Sequence, residues 1–130
     1  MDEVTIIIGS ENDKTNTVVI EEKLKELKIN YSIHIYSAHR NLEELISFLK
    51  KNKTKIYIAC AGLSASLPGI VASIVQEPVI GVPLINGELS GIDALLSILQ
   101  LPKGVPVATM GIGKQGLINA VLLASRILGK

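Results

Sequence analysis

Short runs of β-branched residues alternate with longer amphipathic stretches along the whole chain, and no other feature restricts the fold so strongly. Residues 4–9, VTIIIG, form a short, continuous β-branched run, the pattern of a strand buried on both faces. Residues 15–28 then place Val18, Ile20, Leu24 and Leu27 at near-helical spacing, with charged residues between them. The cycle repeats with strands expected at residues 31–36, 55–60 and 78–84, and a fifth inside LPKGVPVATMGIG. Helices are expected at about residues 41–51, 66–75, 90–100 and 115–128. Asn41 with Glu44, and Ser90 with Asp93, have capping-box spacing, and Pro68 suits a first helical turn. Five strand–helix repeats imply one domain, residues 1–130, with a parallel five-stranded sheet between two layers of helices.

Composition narrows the partners. The 130 residues carry a net charge of only +1, with acids and bases scattered, so no basic footprint for nucleic acid or an anionic membrane is expected. The apolar runs are too short to span a bilayer, and Met1-Asp2-Glu3 lacks the basic start of a signal peptide. A single cysteine, Cys60, permits no internal disulfide and suits a reducing, cytoplasmic setting. It has no activating neighbour in sequence and reads as buried and inert. Mean hydropathy is +0.42, high for a domain with so much surface to cover. Burial between subunits would relieve that excess, so an oligomer is expected.

In doubly wound sheets, ligands bind beyond the carboxyl ends of the strands, where strand order reverses. Four segments fall there: residues 10–13, 37–41, 61–69 and 85–91. The first, within GSENDKT, is no Walker loop, because Asp13 stands where a glycine must precede the lysine. Ser10, Asn12 and Asp13 still offer small polar groups beside a helix start, for a phosphate or for sugar hydroxyls; plain helix capping explains them equally. In YSAHRN, His39 supplies a proton donor and acceptor near neutral pH, and Arg40 a permanent charge whose fork matches phosphate. A solvated helix start explains that pair as well. His34 alternates with Ile33 and Ile35 and reads as a structural strand residue. CAGLSASLPG brings small residues that let a ligand approach the backbone, and NGELSG a polar, lid-like loop; tight helix–sheet packing and an ordinary turn explain them equally.

Other users of this architecture fit poorly. A receiver domain needs an Asp ending its third strand, whereas this chain reads Ala59-Cys60-Ala61. A flavodoxin stacks its flavin on aromatic rings, and here there is no Trp and one Phe. The first strand–helix turn, GSENDKT, carries no GxGxxG fingerprint, and no metal-ligand spacing occurs. A small phosphorylated, sugar-like ligand and one well-placed histidine remain.

GSENDK, SAHRN, AGLSASLPG, PVIGVPL and the long stretch from LSGIDALLSILQLPKGVPVAT to the last helix together resemble, in order, the catalytic subunit of phosphoribosylaminoimidazole carboxylase. That family is better named N5-carboxyaminoimidazole ribonucleotide mutase. The resemblance implies a flavodoxin-like α/β/α fold and a homo-octamer, with the final helix packing on neighbouring subunits and active sites at subunit boundaries. It implies carboxyl transfer in purine biosynthesis, on a nucleotide substrate and without metal or organic cofactor. His39 would be the general acid/base and Arg40 the phosphate ligand. Ser10 would lie near the transferred carboxyl group, Asp13 would hold the ribose hydroxyls, and Asn12 stands at a phosphate-binding serine position. Ser37, Ala38 and Gly62 would line the pocket. Leu63, in place of a glycine, and Ser66, in place of a second histidine, depart from the pattern at substrate-facing positions. Two alternatives stay open: a carboxylase acting on free CO2, and a nucleotide-binding homologue without chemistry.

Overall fold

The computed structural model describes residues 1–62 and 66–130. Ten elements follow one another, counting a single 3-10 turn at Glu11–Asp13. The strands are β1 (Val4–Ile8), β2 (Tyr31–Ile35), β3 (Ile56–Ala61) and β4 (Val79–Pro83). The helices are α1 (Lys14–Glu26), α2 (Leu42–Lys51), α3 (Leu67–Ile74), α4 (Ile92–Leu99) and α5 (Gly113–Leu128).

All pairings are parallel and the strand order is β2-β1-β3-β4. Every residue of β1, β3 and β4 is buried, as the unbroken apolar runs require. Alternation sorts their side chains into two cores. Ile6, Ile8, Ile58 and Cys60 meet Ile20 and Leu24 of α1 and Leu117 and Val121 of α5. Ile7, Tyr57 and Ala59 meet Leu45 and Leu49 of α2, Leu67 and Val71 of α3, and Ala94 of α4. The result is three layers, α/β/α. The one polar side chain inside β1, Thr5, is satisfied: Asn52 donates to Thr5 Oγ1 at 3.1 Å and to the Tyr57 hydroxyl at 3.2 Å. Among the described residues, no helix is long and apolar enough to cross a membrane.

Three expectations need correction. The sheet has four strands among the described residues; the fifth reduces to one bridge, Ile80 to Ala108. There Ala108 donates to the Val79 carbonyl at 3.0 Å and accepts from the Gly81 N–H at 2.7 Å. Pro106, two residues earlier, has no N–H to extend the ladder, and Gly111, at φ 122°, turns the chain away. Asn41 occupies the N-cap of α2 without a side-chain cap bond; its Oδ1 accepts from the Ser37 N–H at 3.4 Å. The N-cap of α4 is Gly91, at φ 89°, rather than Ser90. The final helix, α5, buries Leu117, Ala120, Val121 and Ala124 within its own chain, packing on α1 and β4.

The entry to α5 is tight enough to demand glycine. A Cβ on Gly116 would stand 2.5 Å from the carbonyl carbon of Gly111, a clash with backbone that no side-chain rotation relieves. Gly116→Ala should therefore destabilise the protein by about 2 kcal/mol or more, read as a lower urea midpoint at unchanged m-value.

Candidate functional site

Strand order reverses between β1 and β3, the two central strands, so their carboxyl ends part and leave a crevice. A cavity of about 570 Å³ opens there. Each strand end contributes: Ser10, Asn12 and Asp13 after β1; Ser37, Ala38, His39 and Arg40 after β2; Gly62 and Ser66 after β3; Asn86 and Gly87 after β4. Nine of the ten residues singled out from sequence thus line one cavity. The tenth, Leu63, lies outside the described residues.

Plain capping does not account for the first group. Neither Ser10 nor Asp13, the successive N-caps there, makes a side-chain cap bond. The Ser10 hydroxyl donates instead to Asp13 Oδ2 at 3.3 Å. Asp13 is only 7% exposed, and burying an acid is costly unless its oxygens are hydrogen-bonded. A second donor comes from across the crevice, Asn86 Nδ2 to Asp13 Oδ1 at 3.3 Å. Asn86 escaped selection by sequence, although its loop did not; its only advance signal was a polar side chain one residue into a strand-end segment.

The second group is organised by Ser37. Its buried hydroxyl accepts the backbone N–H groups of His39 at 3.3 Å and Arg40 at 3.2 Å. The Asn41 N–H donates to the Ser37 carbonyl at 2.9 Å. These bonds wind residues 38–40 into a turn. Ala38 packs on the core beneath α2 and α3, while His39 and Arg40 remain exposed at the cavity wall. The imidazole and the guanidinium are therefore carried on a pinned backbone and reach the same space.

Ser66 is the N-cap of α3 and makes no cap bond. Its Oγ is buried without a hydrogen-bond partner among the described residues, so a ligand in the cavity would satisfy it. Cys60 is the penultimate residue of β3, one before Ala61 at the cavity wall. Burial, aided by the nearby negative charge of Asp13, pushes its thiol up to about 12, so it stays a neutral wall atom and no nucleophile. His34 lies apart, with its ring 4.4 Å from that of Phe48 and Ser32 Oγ 2.9 Å from its Nε2. Burial lowers its pKa. Among the described residues, no cluster of His, Cys, Asp and Glu could hold a metal ion.

A doubly wound sheet with a polar crevice at its switch point, walled by a histidine beside an arginine and floored by a buried carboxylate, defines a class: α/β proteins that seat a small anionic ligand at the strand ends. Comparison with known proteins narrows it. The chain belongs to the AIR carboxylase family, whose model matches residues 3–130. It is 48% identical to the N5-carboxyaminoimidazole ribonucleotide mutase of Saccharolobus solfataricus, over 99% of this chain and 82% of that protein. Identity to the protein of the same name from Escherichia coli K12 is 41%, covering 96% and 76%. The crystal structure of Treponema denticola PurE superposes with a TM-score of 0.86 at 35% identity, over 97% of this chain and 79% of that one.

Ser37→Ala would leave two turn N–H groups without their acceptor. It should cost about 1–2 kcal/mol of stability, and its loss of activity should exceed that of Ser66→Ala at equal folded fraction. Thermal melts and initial rates on the two variants check this.

Proposed function

We propose that the chain is an N5-carboxyaminoimidazole ribonucleotide mutase of purine biosynthesis. The observation that carries the reading is the convergence of His39, Arg40 and Asp13 on one cavity at the sheet's switch point, in a chain 41–48% identical to mutases of that name. Arg40 binds the 5′-phosphate through its fork, and Asp13 accepts from the ribose hydroxyls. With both ends of the nucleotide held, the imidazole ring of the substrate lies against His39.

The chemistry then needs one mobile proton and no redox partner. The carbamate C–N bond breaks and releases CO2, while the imidazolium of His39 protonates the departing amine. The ring carbon attacks the retained CO2 and forms the new C–C bond, and neutral His39 takes the proton which that carbon loses. Protons and charge balance over the cycle, and His39 returns to its starting state. Holding CO2 next to the ring replaces a dilute encounter with a local one, which accounts for several kcal/mol of the barrier. Ser66, whose hydroxyl has no partner among the described residues, supplies a donor for the carboxyl group in transit, and Ser10 lies near that group with its own proton directed to Asp13.

His39→Asn should lower kcat by at least about 100-fold while nucleotide binding, measured by calorimetry, stays near wild type. Arg40→Ala should instead weaken binding about 10–100-fold. Full turnover in His39→Asn would sink the mechanism. Product formation from the carbamate substrate should be independent of added bicarbonate; an absolute requirement for bicarbonate would indicate direct carboxylation of the aminoimidazole nucleotide.

The same reading includes a cytoplasmic homo-octamer with sites at subunit boundaries. Its support is an uncovered apolar stripe: Leu89, Ile92, Leu96 and Leu99 are 54–60% exposed at a helical spacing of three and four residues, on and just before α4. Light scattering coupled to gel filtration should give eight copies, and Leu96→Glu with Leu99→Glu should yield smaller species; a wild-type monomer would remove this part of the reading.

A further inference from the structure

Asp13 holds more information than its burial. Its carboxylate receives one donor on each oxygen, Ser10 Oγ on Oδ2 and Asn86 Nδ2 on Oδ1. Both bonds are long, at 3.3 Å, so they orient the group without saturating it. An ionised carboxylate offers about four acceptor positions. Two are taken from the protein side, and the remaining pair can serve two adjacent hydroxyls on a ligand in the cavity.

The Asn86 contact spans 73 positions of sequence and exists because of a gap opposite. A Cβ on Gly62 would lie 2.8 Å from both Cβ and Cγ of Asn86, so any side chain there would push the amide off Asp13. The ends of β1, β3 and β4 thus meet at one carboxylate. Ser10 comes from the same turn as Asp13 and fixes its tilt locally. Among the described residues, Asn86 alone ties that tilt to the far wall of the crevice.

We infer that Asn86 is a positioning residue that holds Asp13 for a vicinal diol and thereby sets the preference of this site for ribose over sugars lacking the 2′- and 3′-hydroxyls. The inference rests on the reading of Asp13 as the acceptor for sugar hydroxyls. It does not require turnover. Without the amide, Asp13 keeps its charge and its Ser10 bond but can rotate, so one of the two hydroxyl bonds loses its geometry. Phosphate binding at Arg40, on the opposite wall, is untouched.

The test uses 5-aminoimidazole ribonucleotide and its 2′,3′-dideoxy analogue, titrated calorimetrically into the full chain. Wild type should prefer the ribonucleotide by about tenfold or more. In Asn86→Ala the ribonucleotide should bind about fivefold more weakly, while the dideoxy form binds as before. Asn86→Asp keeps the size and removes the donor, so it should lose at least as much; wild-type discrimination in that variant would show that shape alone matters and would overturn the assignment. An equal loss for both ligands in Asn86→Ala would overturn it too, because it would mean that the loop had merely come loose. Discrimination in wild type and its loss in the variants, with no mutase turnover, would sink the proposed reaction and leave the role of Asn86 standing. Turnover with no preference between the two ligands would do the reverse.

Discussion

The parting of β1 from β3 at their carboxyl ends is the constraint on which the rest of the molecule depends. Along the strands the two backbones are locked in register, from Val4 opposite Ile56 to Ile8 opposite Cys60. Beyond Ile8 one chain turns into α1 on one face and the other into α3 on the opposite face, and among the described residues the space between them is left open as the cavity. A parallel sheet with both faces covered has nowhere else to put polar side chains. Its central strands are almost wholly apolar, and chemistry is confined to the loops at one edge. Four loops then face one crevice because four strands run the same way.

Within that crevice the side chains divide into those that hold and those that stay free. Ser37 spends its hydroxyl on two backbone N–H groups, Asn41 returns its carbonyl oxygen to Ser37, and Ser10 and Asn86 converge on Asp13. Among the described residues, His39 and Arg40 make no side-chain hydrogen bond, and they stand exposed at the cavity wall. This division suits a proton carrier, which must be placed by its backbone yet keep both ring nitrogens available. Cys60 shows the opposite treatment. Its thiol, pushed up by burial, adds no charge beneath Asp13, so the only anion on the floor is the one that the polar network holds.

Much of this was legible in one dimension. The run VTIIIG became β1, and KIYIAC became β3 displaced by one residue, because a buried parallel strand needs an unbroken apolar run and little else has one. The cavity-lining set was legible for a related reason: polar and small residues interrupt an apolar chain just past each strand, where topology puts ligands. Failures came where a tertiary partner decides. Pro106 stops a fifth strand only because its missing N–H falls on the side facing β4. Asn41 has the composition of a cap, yet its oxygen finds the N–H of Ser37 before that of its own helix. Asn86 could not be chosen from sequence, since its significance depends on a glycine 24 positions away leaving room for it.

The exposure of His39 and Arg40 connects the site to the excess hydropathy. On the proposed mechanism, CO2 must remain beside the ring between leaving nitrogen and joining carbon. A neutral gas in an open crevice escapes faster than a carbon–carbon bond forms, so the reaction requires closure. In the single chain His39 and Arg40 are exposed, and no residue among those described covers them. The loop that carries Asn86 leads directly into Leu89 and the stripe on α4, the largest run of uncovered aliphatic side chains among the described residues. A subunit packed on that stripe would stand next to the cavity mouth. The same contact would bury the surplus apolar surface and exclude water from the site, so on this reading assembly is a condition of the chemistry as well as of solubility.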